Sequence, residues 1–216
     1  MKEHKKKDPL LEPYKLAGME LKNRIVSTPH APALADNGMP KERYQLYHLE
    51  KAKGGIAMTM VGGSSCVSPD SPSVFGQLNV STDEVIPWFR DFSDLIHKEN
   101  CKMICQISHL GRRTTWNDGH WLPIIAPSRI REPAHRGFPK IMDRHDIKRV
   151  ISDYVAAARR CRDAGLDGIE VLQNGHLPGQ FLSPDTNFRL DNYGGEFLNR
   201  MRFIRELYEA LRNELK

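Results

Sequence analysis

The 216-residue sequence predicts an α/β fold of parallel β/α units with about four strands. Three observations carry this expectation. Short β-branched runs alternate along the chain with longer segments whose apolar residues recur at helical spacing. Each predicted strand is followed by a loop and a helix rather than by a tight hairpin turn, the pattern of strands lying parallel with helical crossovers. Hydrophobic residues make up 39% and charged residues 27%, enough apolar surface to bury a core in a chain that is neither membrane-like nor disordered.

The first strand is Arg24 to Pro29 (RIVSTP), β-branched and closed by proline. Lys41 to Lys53 (KERYQLYHLEKAK) follows as a helix stopped by Gly54 and Gly55, and Ile56 to Val61 (IAMTMV) is the second strand. Ser81, with Glu84 three residues on, has the form of a capping box, opening a helix that sets Val85, Trp88, Phe89, Phe92, Leu95 and Ile96 on one face. Met103 to Ile107 is the third strand, where a period of two places Cys101 and Cys105 on the same side. Asp143 caps a helix with Ile147, Val150, Ile151, Tyr154, Val155, Ala158 and Cys161 in helical register, ended by Gly165. Gly168 to Leu172 (GIEVL) is the fourth strand, and Phe197, Leu198, Met201, Ile204, Leu207, Tyr208 and Leu211 mark a last helix.

Between the third strand and the Asp143 helix, His109 to Met142 is irregular and proline-rich (Pro123, Pro127, Pro133, Pro139). So long an excursion in a compact domain points to a functional loop. Functional groups in such a fold sit on the loops after the strands. No internal repeat is evident, and the element pattern fits either a small open sheet or half of an eight-fold barrel, which ordinarily needs about 250 residues.

Charge excludes several function classes. Formal net charge is +5, of which Lys2, Lys5, Lys6 and Lys7 against Glu3 place +3 in the first seven residues. The remainder is too small and too dispersed for a nucleic-acid surface, so residues 1–10 are expected to be a basic tail and residues 11–216 the domain. Asp8 and Pro9 follow the basic run instead of an apolar signal segment, and no run approaches the roughly 18 apolar residues of a membrane span. The four cysteines (Cys66, Cys101, Cys105, Cys161) contain no CxxC pair and no zinc-ligand spacing, so reduced buried thiols, no metal site and a cytoplasmic location are expected.

Seven segments, in order, resemble the old yellow enzyme family of FMN-dependent oxidoreductases: LKNRIVSTPHA (Leu21 to Ala31), DNGMPKERY, KAKGGIAMTMVGG, QISHLGR (Gln106 to Arg112), DGIEV, GQFLSPDTNFRLDNYGG and NRMRF. The resemblance runs from Leu11 to the end of the sequence. It implies the N-terminal half of an FMN-binding TIM barrel, about the first four of its eight strands, with the phosphate of FMN held by β/α units beyond this sequence. FMN is the implied cofactor, with NAD(P)H as reductant. The carboxamide of Gln106, which both donates and accepts, is placed by the resemblance at the flavin pyrimidine edge. Thr28, Pro29, His30 and Gly63 match positions lying against the isoalloxazine. As bare residues, Gly62 and Gly63 could equally form a turn, Pro29 could merely end a strand, and His30 could serve as a local hydrogen-bond partner.

At the fourth strand the sequence departs from the family pattern. Many members carry His-x-x-His or His-x-x-Asn shortly after the strand-four acid, whereas Glu170 is followed here by Leu172, Gln173, Asn174, Gly175 and His176, one residue short. Asn174 and His176 are the substrate-recognition candidates, since imidazole near neutral pH donates, accepts or transfers a proton. The GHL form with Pro178 and Gly179 is closest to the amine dehydrogenase and N-demethylase branch, in which a hydride equivalent leaves a carbon beside nitrogen. That branch also implies an iron-sulfur centre in a C-terminal part beyond this sequence. His109, Gly111 and Arg112 are read as scaffold, His109 bonding backbone and Arg112 pairing with an acid. Arg189, Asp191, Tyr193, Gly194, Gly195, Asn199 and Arg200 are read as a network fixing the entrance to the last helix. An enone or dienoyl-CoA type reductase, a non-catalytic half-barrel joining a partner or a second copy of itself, and a metal-dependent lyase are the competing functions; converging carboxylates and histidines, which a lyase needs, are missing from the strand ends.

Overall fold

A computed structural model of the protein describes residues 8–72, 76–114, 122–134 and 137–216. The basic tail up to Lys7 therefore lies outside the described residues, as do parts of the long excursion at 115–121 and 135–136. The chain opens with a 3₁₀ turn (Pro9–Leu11) and an antiparallel hairpin of β1 (Tyr14–Leu16) and β2 (Met19–Leu21). Its two-residue loop, Ala17-Gly18, has positive φ at both positions (46° and 88°), the backbone that matches strand twist in a tight hairpin.

β3 (Val26–Ser27) is shorter than the predicted Arg24 to Pro29. The flanking amides are spent elsewhere: Arg24 donates to the Leu10 carbonyl, Ile25 donates to the Asn23 side chain, and Pro29 has no N–H to offer. α1 (Glu42–Lys53) matches its predicted span and ends at Gly54. β4 (Met58–Cys66) continues past the predicted stop at Val61, because the glycines make an irregularity between Val61 and Ser65 rather than a chain reversal. α2 (Val85–His97) forms without the Ser81–Glu84 capping box. The Asn79 side chain accepts from both the Ser81 amide (3.0 Å) and the Ser81 hydroxyl (2.6 Å), turning Ser81 toward Asn79, and the helix begins only at Val85.

β5 (Lys102–Ser108) is followed by a short parallel pair within the excursion, β6 (Ile125–Ala126) and β7 (Lys140–Ile141). α3 (Arg144–Asp163) begins with the predicted Asp143 cap, completed by Asp146 reaching back to the Asp143 amide. β8 (Gly168–Val171) leads into a short helix, α4 (Leu177–Leu182), in a stretch that sequence periodicity leaves irregular. The predicted last helix is two: α5 (Phe197–Arg200) and α6 (Arg202–Glu214) meet at Met201. Arg200 and Arg202 turn back to the carbonyls of Leu182, Gly195 and Asn192, tying this corner to the preceding loop and leaving Phe197 and Leu198 exposed instead of on the buried face.

The main sheet is parallel, in the order β3-β4-β5-β8, so each helical crossover returns the chain to an adjacent strand. Alternation along β5 separates its two faces. Cys101, Met103, Cys105 and Ile107 enter the main core with Phe89, Phe92 and Ile96 of α2, Tyr154 and Cys161 of α3, and Phe203 and Leu207 of α6. The predicted shared face for Cys101 and Cys105 is thus found, and all four cysteines are buried. Ile104 points the other way, into a small cluster with Leu21, Ala57 and Met58 that the β1–β2 hairpin covers. That second face is apolar at the strand starts and polar at the strand ends, where Gln106, Ser108 and Glu170 lie. No described helix is long and apolar enough to cross a membrane.

Candidate functional site

The site grows from the C-terminal ends of β4, β5 and β8. Gln106 and Glu170 are register partners on adjacent strands, and the Gln106 Nε2 donates to the Glu170 carboxylate at 2.6 Å. The Gln106 Oε1 accepts the Ser64 amide at 2.9 Å. A backbone N–H only donates and a carboxylate only accepts, so these two partners fix which end of the amide is which. One N–H and one lone pair of the carboxamide remain for a ligand.

Ser64 reaches Gln106 because the backbone turns through positive φ at Gly62, Gly63 and Ser64 (108°, 67° and 75°). Tyr44 braces the turn by accepting the Gly62 amide at 3.0 Å, its phenol pushed above the ordinary value by burial. A Cβ on Gly63 would lie 2.2 Å from the His30 carbonyl carbon and 2.4 Å from the Ala31 amide nitrogen. The loop after β3 therefore rests directly on Gly63, and this packing alone accounts for glycine there. His30 leaves the sheet end: its Nε2 lies 2.6 Å from the Tyr47 hydroxyl on α1, and its Nδ1 3.4 Å from the Thr28 carbonyl. Thr28 is exposed and Pro29 half-buried beside it. Below them His48 is fully buried, stacked on Tyr44, with Nδ1 2.7 Å from the Thr59 hydroxyl and no partner for Nε2. Burial, then the nearby Lys51 and His30, lower its pKa to about 3.

His176 is buried at the mouth of α4, its Nδ1 2.6 Å from the Ser108 hydroxyl at the end of β5. Burial, followed by the neighbouring Arg113 and His109, lowers its pKa to about 4, so the imidazole is neutral at neutral pH. Asn174, the other predicted substrate contact, is exposed; it lines a separate cleft of about 610 Å³ with Arg112, Gln173, Ser183, Thr186 and Phe197, which contains neither Gln106 nor His176. The structure thus joins Gly63 to Gln106 through Ser64 and joins His176 to β5 through Ser108, while His30 and Asn174 face elsewhere.

The scaffold reading of His109 holds. Its Nδ1 accepts the Gly111 amide at 3.0 Å, which leaves Nε2 as the protonated nitrogen facing Asp70 at 3.0 Å. Burial opposes the charge of Asp70, but bonds from His109, Ser68 and Arg149 together hold its carboxyl well below the usual range. Arg149 also pairs with Asp153, so this cluster locks the loop after β4 to α3 and to the end of β5. The predicted acid partner of Arg112 is not found among the described residues; the Arg112 amide donates instead to Gln180, whose Nε2 bonds the carbonyls of Leu110 and Gly175. The chain satisfies this loop with a carboxamide clamp, and the acid of the neighbourhood, Asp70, is taken by Arg149. Arg189 binds Asp191 at 2.6 Å and the carbonyls of Pro127 and Met142, and Arg200 the carbonyl of Leu182, the network expected before the last helix.

Sequence reasoning missed Ser64, Ser108, Gln180 and the Asp70–Arg149 pair. For Ser108 a signal existed, since it shares the period-two face of Ile104 and Gln106. For the others no local pattern marks the partner, which is brought from a distant element.

The sequence profile described as the NADH:flavin oxidoreductase / NADH oxidase family matches residues 9–215. The chain belongs to this family. A multifunctional alkene reductase/demethylase of Caballeronia cordobensis is 53% identical to this flavin oxidoreductase chain over 208 residues, covering 96% of the chain and 31% of the relative. An N,N-dimethylglycine/sarcosine dehydrogenase of Chromohalobacter salexigens is 46% identical over 211 residues, with 96% and 30% covered. The structure of a 2-naphthoyl-CoA reductase in complex with 2-naphthoyl-CoA superposes with a TM-score of 0.87 at 27% identity, over 96% of the chain and 34% of that one. Old yellow enzyme from Pichia sp. AKU4542 shares the fold, with a TM-score of 0.90 at 24% identity over 95% and 56%. The chain spans about a third of the length of the curated relatives named here and about half that of the Pichia enzyme. Its sheet is accordingly part of an α/β barrel. The residues at the sheet end fit a flavin in kind: the spare donor and acceptor of Gln106 match a pyrimidine edge that carries both.

Proposed function

We propose that the protein to which these 216 residues belong is an FMN-dependent oxidoreductase that takes a hydride equivalent from an organic amine, an oxidative demethylation. The observation that carries the reading is the Gln106 amide, fixed by Ser64 and Glu170 with one donor and one acceptor unspent, at the end of a parallel strand. FMN, when bound, supplies the hydride acceptor. The protein's own part is to bind and orient: Gln106 holds the pyrimidine edge, the turn at Gly62 to Ser64 and the loop from Thr28 to Ala31 flank it, and His176 meets the substrate. Asn174 contributes to substrate recognition from its cleft. The amine class is supported by the names of the relatives from Caballeronia and Chromohalobacter.

A second reading, reduction of an activated alkene with NAD(P)H, is supported by the Caballeronia relative, whose name joins both activities. An iron-sulfur centre would take its ligands from outside these residues, because all four cysteines are buried in the core. The open edge of β8 bears on how the barrel is completed: Ile169, Glu170 and Val171 line a cleft of about 590 Å³ with Tyr208 and Leu211, which further β/α units or a second copy would cover.

Half-reactions of the FMN-loaded protein test the assignment. Gln106→Ala lowers FMN affinity or shifts the flavin potential with any substrate, whereas His176→Ala leaves the bound-flavin spectrum unchanged and slows the step with the organic substrate by roughly 10² to 10⁴. Turnover of His176→Ala at the parent rate would overturn the role of His176, and FAD or a metal as the sole cofactor would overturn the reading as a whole.

A further inference from the structure

Ser108 ends β5 on the same face as Gln106, with its hydroxyl 2.6 Å from His176 Nδ1. Both side chains are buried, at 1% and 6% exposure. The backbone around them is held by three bonds: Val67 donates to the Ser108 carbonyl, Leu177 to the His109 carbonyl, and Gln180 to the His176 carbonyl. The contact is therefore set by the meeting of three segments rather than by a free rotor.

A hydroxyl and a neutral imidazole can share one hydrogen bond in two ways. If Nδ1–H donated to Ser108, the hydroxyl proton would need an acceptor of its own, and the Ser108 oxygen has no other partner among the described residues. Leaving a buried O–H unsatisfied costs about 1 to 3 kcal/mol. If instead Ser108 donates to Nδ1, both groups are satisfied and the imidazole proton sits on Nε2, the nitrogen without a protein partner among the described residues. Burial and the neighbouring Arg113 and His109 favour the neutral ring that this arrangement requires.

We infer that Ser108 is a positioning residue that holds His176 as the Nε2–H tautomer, so that the histidine offers a hydrogen-bond donor to an acceptor oxygen of the substrate, a carboxylate or carbonyl, and does not act there as a base. The substrate consequence rests on the proposed role of His176, while the tautomer does not. An amine substrate of this site would then carry a carboxylate or carbonyl near the reacting carbon.

Long-range ¹H–¹⁵N spectra of the histidine rings in the 216-residue chain at neutral pH test the inference directly. His176 should show a lone-pair type Nδ1 and an N–H type Nε2. His109, whose Nδ1 accepts the Gly111 amide, should show the same pattern and serves as an internal standard for the fold. His176→Ala assigns the signals. Ser108→Ala should shift the His176 Nδ1 resonance while His109 stays in place, and Ser108→Thr should restore the parent position. A parent spectrum with the proton on Nδ1 would overturn the inference, as would Ser108→Ala with both His176 nitrogens unmoved and His109 intact. Because the parent spectrum decides alone, a variant that fails to fold does not shield the idea. A confirmed tautomer with undiminished turnover of His176→Ala would instead isolate the failure in the catalytic reading.

Discussion

His48 makes the stability of this chain acid-sensitive from about pH 6.5 downward, beginning above the range in which carboxylates titrate. The ring is fully buried between Tyr44, Tyr47 and Phe92, and burial with the nearby Lys51 and His30 brings its pKa to about 3, against an ordinary value of 6.5. Between those two values the unfolded chain binds a proton that the folded chain refuses, so stability rises with pH across the window. The contribution is complete above pH 6.5 and is lost progressively as pH falls toward 3. At pH 5 the loss from this one ring is about 2 kcal/mol. His176, with a folded value of about 4, loses a similar amount over the upper part of the same range, about 2 kcal/mol at pH 5. Asp70, held below the usual carboxylate range, acts in the same direction only at lower pH, where its unfolded form takes up a proton. Urea unfolding at pH 7 and pH 5 should therefore show the parent losing about 4 kcal/mol from the two histidines, and His48→Asn losing about 2 kcal/mol. Asparagine keeps a polar atom near the position of Nδ1 for Thr59 and cannot titrate, so the comparison isolates the proton. The variant is expected to be less stable at pH 7; what matters is the difference between the two pH values. A His48→Asn chain that loses as much as the parent would refute the linkage.

Gly63→Ala should destabilise the chain by roughly 2 to 5 kcal/mol, since it adds a left-handed alanine to a clash with the backbone of His30 and Ala31; a urea midpoint equal to that of the parent would show that the β3 loop gives way freely. Asp143→Ala removes the formed capping box of α3 and should lower the thermal midpoint, whereas Ser81→Ala, whose predicted box is absent, should not change the capping of α2. The 216-residue chain should bind FMN weakly in a fluorescence titration. It offers the pyrimidine contact of Gln106 but not the β/α units that the family resemblance assigns to the phosphate. Losing two charge-assisted hydrogen bonds of about 1.5 to 3 kcal/mol each weakens affinity by two or more decades, and submicromolar binding would refute that division of the site.

Local chemistry made much of the fold legible. The Asp143 cap, the glycine stops after Lys53 and Ala164, and the helical spacing in α2 and α3 each depend on residues within one or two turns of each other. The β/α alternation needs no more than a switch between periods of two and 3.6. The failures have the same character: at Ser81 a nearer side chain, Asn79, won the hydroxyl, and at Met201 two arginines reaching back to the preceding loop broke a helix whose apolar spacing was continuous.

The sequence by itself determined the parallel α/β class and the family, and it marked Gln106 as a candidate for the site. Tertiary structure alone decided how these residues are used. The Gln106 amide is oriented by Ser64, 42 positions earlier, and by Glu170, 64 positions later; His176 is tied to Ser108 across 68 positions, and Asp70 to Arg149 across 79. Tertiary structure likewise turned His30 toward Tyr47 and set Asn174 in a cleft of its own. A hydrogen bond depends on distance and direction in space, and pairs so remote in sequence leave no period or spacing from which either can be read.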